Sequence, residues 1–308
     1  NKKDAFETIF PNRFINRESS LLAFQKRVLE QAKNPAIPVL ERLRFICIVS
    51  SNLDEFFEVR VAGIKEQIFE GTSHIDGIQI HHWFENLNRE VREILKEKIT
   101  VFEDILAILS SEGILLKNKS NWTTAEHTWL ECFFTANVLP LLTPIALDVA
   151  HPFPHVQNKG LNFIINLEAT DIFDHAISVA ILPIPPKLTR VITIPEHISG
   201  NNSSFVFLRD LIHAFMDKIF IDINIKGIYQ FRVTRNSNLF IDDEESKNLR
   251  ALLQGELEQR NFGKAVRLEV SNECPNALIG FLKQQFKLKE IDVYRIKGTL
   301  NLSRLMQL

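Results

Sequence analysis

Apolar residues recur at helical spacing through the first third of the chain. Leu21, Phe24, Val28 and Ala32 form a stripe along residues 17–32, with Asn16 placed to cap that helix. Pro35 and Pro38 break the segment, and Pro38 suits the first turn of the next helix. That helix, VLERLRFICIV, is apolar on most faces, which predicts deep burial. In residues 50–67, SSNLDEFFEVRVAGIKEQ, Leu53, Phe56, Phe57, Val61 and Ile64 share one face. Ser51-x-x-Asp54 and Asn52-x-x-Glu55 both have capping-box spacing, which predicts a new helix N-terminus with Asn52 at its start. A loop follows at 71–77, then one long helix over 78–111 ended by Gly113. Its charges alternate in sign, as on a solvated face laced with short-range pairs. His81 and His82 sit early on it; adjacent helical positions diverge by about 100°, so both read as surface residues rather than ligands of one metal.

The pattern changes after Gly113. A short strand at 114–116 precedes a helix opened by the capping box Thr123-x-x-Glu126. Strand-like segments follow at 161–167, 177–184, 190–194, 204–207, 227–234 and 265–270, with helices at 209–220, 243–259 and 275–286. Val266, Leu268 and Val270 alternate with Ala265, Arg267 and Glu269, which predicts a half-buried strand. The expected fold class is multidomain. An all-α helical bundle over 1–112 precedes an α+β domain over 113–308 with a mixed, largely antiparallel sheet and helices on one face.

Composition narrows the class of function. The net charge of −2 gives no global basic field for nucleic acid. Phe occurs 24 times against two Tyr, which points to dry cores. Three scattered cysteines form no C-x-x-C, against a disulfide framework or zinc site and in keeping with a reducing compartment. No apolar run approaches the roughly 18 residues of a transmembrane segment, and the first ten residues, NKKDAFETIF, lack the apolar core of a secretory signal.

Candidate chemistry is sparse. His151 and His155 are four apart, but Pro152 and Pro154 exclude the helix that would bring them together on a metal. Arg232, Arg235, Arg250, Arg260, Lys264 and Arg267 enrich the second half in cations, and guanidinium groups suit phosphate oxygens. Asp242 to Glu245 lie nearby, and a solvated face with internal ion pairs is the expected state for most of these residues. There is no G-x-x-x-x-G-K-[ST], G-x-G-x-x-G, H-E-x-x-H or G-x-S-x-G, and no nucleophile stands out with its base.

Three separated signatures, SSNLDEFFEVRVAG, DVAHPFP, and VTRNSNLF followed by NFGKAVRLEV, resemble the long bacterial polyphosphate kinases and keep that family's order. The likeness runs from Arg13 to Leu308 and implies the family's amino-terminal and middle domains. The family's enzymes reversibly move the terminal phosphate of ATP onto inorganic polyphosphate through a phosphohistidine. In S-N-L-D-E-F the asparagine contacts adenine, which carries over to Asn52 as the ATP-binding residue, with Asp54, Glu55 and Arg60 as possible supporting residues. An asparagine capping its own helix has its side-chain oxygen occupied, whereas reading an adenine edge uses both the oxygen and the NH2 group, so the two roles cannot both be complete. Where the family reads E-L-S-W-L-x-F-N, this chain has Glu18, Ser19, Ser20, Leu21, Leu22, Ala23, Phe24 and Gln25, without the Trp and the Asn.

The resemblance further implies ATP, ADP and polyphosphate as partners, Mg2+ held mainly by carboxy-terminal domains that this chain lacks, and a homodimer formed largely through the middle domain. It implies no catalytic residue and no metal ligand here, because none of the nine histidines stands in the phosphohistidine context. The segment alone is expected to be inactive, and its location cytoplasmic or peripheral at the membrane. A non-catalytic interaction module that retains the same two domains is the alternative.

Overall fold

Asn16 sets the first helix. Its Oδ1 accepts from the backbone N–H of Glu18 at 3.0 Å and Ser19 at 3.2 Å, and helix α1 (Arg17–Lys33) follows as expected. The computed structural model describes residues 16–72, 74–75, 78–147, 153–170, 176–200, 203–237 and 263–307. The lead-in, His151, Arg250, Arg260 and the helix expected over 243–259 lie outside these residues. The buried arc of α1 is Leu22, Gln25, Leu29 and Ala32, centred one residue on from the expected stripe. Leu21 and Val28 pack at its margin, and Phe24 is 47% exposed.

Helix α2 (Val39–Glu55) begins after Pro38 and does not stop at Asn52. It runs on through a π-helical segment, Phe56–Val61, into α3 (Ala62–Phe69). The expected N-terminus at Asn52 is therefore corrected. The Phe56 N–H already donates to the carbonyls of Asn52 and Leu53, so no orphan amides remain to be capped. The π segment has a packing reason. Buried Phe56 and Phe57 are followed five residues later by buried Val61 and Ala62, the spacing of a π turn. Strand β1 (His74–Ile75), in the region expected as loop, pairs with β2 (Ile78–Gln79), which takes the first two residues of the expected helix. Helix α4 (Ile80–Ser111) follows, and Gly113 after it takes φ 81°, a left-handed conformation that costs glycine little. His81 and His82 are exposed, as expected.

Strand β3 (Ile114–Lys117) leads to α5 (Thr124–Phe133), whose capping box is formed on both sides: Glu126 N–H to Thr123 Oγ1 at 3.2 Å and Thr123 N–H to Glu126 Oε2 at 2.8 Å. The remaining strands are β4 (Ile145–Leu147), β5 (Asn162–Thr170), β6 (Ala176–Pro183), β7 (Val191–Ile194), β8 (Ser203–Phe207), β9 (Asn224–Arg235), β10 (Ala265–Ser271) and β11 (Val293–Ile296). Helix α6 (Leu208–Ala214) is shorter than expected and gives way to a 3-10 turn, Met216–Lys218; α7 (Asn276–Phe286) precedes β11. One sheet has the order β11-β10-β9-β5-β6-β4, antiparallel except between β10 and β11. A second has the order β3-β8-β7, with β3 and β8 parallel. The mixed, largely antiparallel sheet is as expected; β4 and β11 were not anticipated.

The six-stranded sheet is covered on both faces, not one. Ile164, Ile181, Phe231, Val233, Leu268 and Val270 pack with Leu278, Ile279 and Leu282 of α7. Phe163, Ile165, Ala180, Leu182, Tyr294 and Ile296 join the core of the helical region. Both sides of the central strands must therefore be buried, including their polar positions. The observed register of α1 gives a direct check. Leu22→Ala should cost about 2–5 kcal/mol in chemical denaturation, whereas Phe24→Ala should stay within about 0.5 kcal/mol. The reverse order would restore the stripe read from spacing.

Candidate functional site

The polar row of β9 and β10 meets the helical rod two residues past Asn52. Arg232 and Arg267 are 3% and 1% exposed, and Glu269 is 4% exposed. The half-buried strand expected at 265–270 is thus buried on both sides. The solvated face expected for the second-half cations does not hold for Arg232 and Arg267. The helical region supplies the reason, since it brings Asp54 onto that row. Arg232 grips Asp54 with two parallel bonds, Nη2 to Oδ1 at 2.6 Å and Nη1 to Oδ2 at 2.9 Å. Arg267 Nη2 donates to the same Asp54 Oδ1 at 2.6 Å. Arg232 Nε donates to Glu269 Oε2 at 2.6 Å, and Arg267 donates from Nε and Nη2 to Thr234 Oγ1 at 3.1 and 2.9 Å. The Arg267 guanidinium also lies 4.2 Å over the Phe57 ring.

Lys98 of α4 completes the cluster, its Nζ donating to Ser50 Oγ at 3.0 Å. Two carboxylates already balance two arginines, so this third cation is in excess. Burial, partly offset by Glu269, lowers its pKa to about 8. Burial alone would raise the Asp54 pKa, but the charges of Arg232 and Arg267 outweigh it and hold the carboxyl well below the usual range.

A second set of bonds ties the π segment and α3 to the sheet edge. Glu58 accepts from Asn158 Nδ2 at 2.6 Å and Lys159 Nζ at 2.8 Å. Glu66 accepts from Asn236 Nδ2 at 2.7 Å, and Lys65 pairs with Asp292 at 2.9 Å. Phe153, from the proline-rich signature, packs edge-on to Phe286 at 5.2 Å.

Asn52 stands half-buried in the last turn of α2 and donates through Nδ2 to Gln25 Oε1 at 3.0 Å. Its partner occupies the position where the resembled family reads asparagine, so the departure keeps an amide there with one methylene more. Glu55 is exposed one turn further on, Arg60 is half-exposed on the π segment, and Asp54 alone of the four turns into the ion cluster. Sequence reading did not single out Gln25, Thr234 or Glu269. The available signal was charge at alternate positions of an otherwise apolar strand, where Arg267 and Glu269 lie between Val266, Leu268 and Val270. Among the described residues no three His, Cys, Asp or Glu side chains gather to hold a metal ion, and no helix is long and apolar enough to cross a membrane.

Residues 14–117 match the family described as polyphosphate kinase N-terminal domain, and residues 125–308 match the polyphosphate kinase middle domain. A polyphosphate kinase from Burkholderia multivorans is 44% identical over 297 residues, covering 96% of this chain and 43% of that protein. One from Neisseria meningitidis serogroup A is also 44% identical with the same coverage. The crystal structure of a polyphosphate kinase from Porphyromonas gingivalis superposes with a TM-score of 0.78 at 24% identity, covering 96% of this chain and 41% of that one. A helical unit clamped by buried charges onto a mixed sheet thus matches the N-terminal and middle domains of proteins named polyphosphate kinase. The chain belongs to the polyphosphate kinase family and carries its N-terminal and middle domains. It spans less than half the length of these curated relatives.

Two measurements check the ion cluster. Asp54→Asn should cost about 3–5 kcal/mol, because it strands two buried arginines. The charged form of Lys98, by contrast, is disfavoured by burial. Its folded pKa lies below its unfolded value, so the unfolded chain binds more protons there and stability should rise between about pH 8 and 9; from about pH 9 the buried thiols of Cys47 and Cys274, raised to about 11, act the other way. Lys98→Met should abolish that rise in urea denaturation, and a rise that persists would exclude Lys98 as its source.

Proposed function

We propose that this chain is the forepart of an enzyme that moves the terminal phosphate of ATP reversibly onto inorganic polyphosphate through a phosphohistidine. The observation that carries the proposal is the Gln25–Asn52 amide pair in a chain of this family. Gln25 takes one hydrogen of the Asn52 NH2 group. The second hydrogen and Oδ1 remain as a donor and an acceptor, the pair an adenine edge requires. Because Asn52 caps no helix, the conflict between capping and adenine contact disappears. Asp54 serves the site indirectly, by anchoring the turn that carries Asn52 to the sheet. Glu55 and Arg60 flank it as possible supporting residues on the less buried side.

In this reading the phosphorylated histidine and most of the Mg2+ contacts belong to the carboxy-terminal part of the enzyme. Mg2+ would neutralise charge on the transferred phosphates there. The residues after 113 supply the homodimer surface, and the enzyme works in the cytoplasm or peripherally at the membrane. The isolated chain binds part of the nucleotide but performs no transfer.

In the full-length enzyme, Asn52→Ala should raise KM for ATP roughly five- to a hundred-fold, the loss of one or two neutral hydrogen bonds, with its melting temperature and histidine phosphorylation retained. A variant that melts normally with an unchanged KM would overturn the adenine contact. With γ-labelled ATP, acid-labile label should appear on a histidine of the full-length enzyme and not on this chain; label on this chain would refute its inactivity.

A further inference from the structure

A small cleft lies between Arg190, which precedes β7, the first turn of α6, and the turn after β11. It has about 20 Å³ of space for water-sized groups, room for one small polar moiety. Three buried polar atoms in its walls have no hydrogen-bond partner: Arg190 Nη1, Arg209 Nε and Gln230 Oε1. Asp210 Oδ1 lies 3.2 Å from Arg209 Nε, close enough for an ion pair but not aligned as a hydrogen bond. Among the described residues no carboxylate pairs with Arg190. Burial first, and the charge of Arg304 second, pull the Arg190 pKa down to about 10.

A partly desolvated guanidinium without a counter-charge is costly unless an anion completes it. Two arginines facing one cavity offer the planar donors that oxyanions accept. Gln230 adds a third donor when its amide turns by half a revolution and exchanges oxygen for NH2. We propose that this cleft binds one phosphate group of a phosphate chain, held between Arg190 and Arg209 with Gln230 as the third contact. Its oxyanion character stands on the cluster itself, and the choice of a phosphate chain rests on the proposed function above. The site shares no residue with the Asn52–Gln25 pair and is a separate foothold on the middle domain.

The test is isothermal titration calorimetry of the 308-residue chain at fixed ionic strength with tripolyphosphate, orthophosphate and sulfate. Tripolyphosphate should bind, and more tightly than the other two. An equal response to orthophosphate would overturn the assignment to a chain. Arg190→Leu and Arg209→Gln should each weaken tripolyphosphate about tenfold or more, the loss of one charge-assisted contact, whereas Arg44→Gln, exposed on α2, should not. Arg190→Leu should also melt no lower than the parent, since it removes an unpaired buried charge, but should lose the stabilisation that tripolyphosphate confers. Should Arg190→Leu not fold, Arg209→Gln still decides. Affinity within about twofold of the parent in every folded cleft variant, or no tripolyphosphate binding to the parent at all, would overturn the cleft. Neither result touches the kinase reading, which is judged by labelling of the full-length enzyme.

Discussion

The bidentate grip of Arg232 on Asp54 is the contact on which the arrangement of the two regions depends. Helical rod and sheet meet along a row of charge that would be forbidding if any member lacked a partner. A buried ion pair adds little net stability over apolar residues of the same shape, but a broken one is expensive. Such a cluster therefore acts as a register lock. A one-residue slip along β9 or β10 would turn Arg232 or Arg267 onto the opposite face, among Phe231, Val233 and Leu268. A rotation of the helical rod would carry Asp54 away from both arginines. Apolar packing tolerates small displacements; this pattern of five charges and their hydrogen bonds does not.

The lock also accounts for the π segment. Asp54 must face the sheet at a point where Phe56 and Phe57 also turn inward, with Phe57 lying against both the Arg267 guanidinium and the Tyr294 ring. A regular α-helix would rotate the following residues out of this interface. The widened turn inserts the extra spacing that returns Val61 and Ala62 to the core. Glu58, Lys65 and Glu66 then reach the sheet edge from the next turns. Asn52, one half-turn before Asp54, inherits a fixed position from this anchoring, and Gln25 fixes the rotation of its amide.

Local signals were legible wherever they closed on themselves. Asn16, the Thr123–Glu126 box and Gly113 each satisfy backbone groups within a few residues, so spacing alone identified them. The signals failed where the partner was distant. Ser51-x-x-Asp54 has the spacing of a cap, but its carboxylate belongs to arginines 178 and 213 residues away. Strict alternation in β10 correctly separated two faces. It could not say that the polar face was dry, because a strand's period records a difference between faces and not the identity of what covers each. The arc of α1 slipped by one residue for a related reason: Gln25 is buried to serve Asn52, and an inventory of apolar residues leaves it out.

Strand β9 connects these features. Gln230, Arg232 and Thr234 alternate along one face, about 7 Å apart at successive inward positions. Gln230 looks into the arginine cleft, while Arg232 and Thr234 belong to the ion cluster. Asn301 bridges the two. It lines the cleft, takes a bond from Arg232 Nη1 at 3.2 Å on its Oδ1, and adopts φ 63°, a left-handed conformation that asparagine tolerates better than most residues. The electrostatics of the neighbours differ in kind. Asp54 and Glu269 neutralise Arg232 and Arg267 almost completely, so the cluster projects little field beyond Lys98. Among the described residues Arg190 has no such balance, and the charge that acts on it, Arg304, has the same sign. Strand β9 thus sends Arg232 into the ion cluster and, one inward position away, Gln230 into the wall of the cleft.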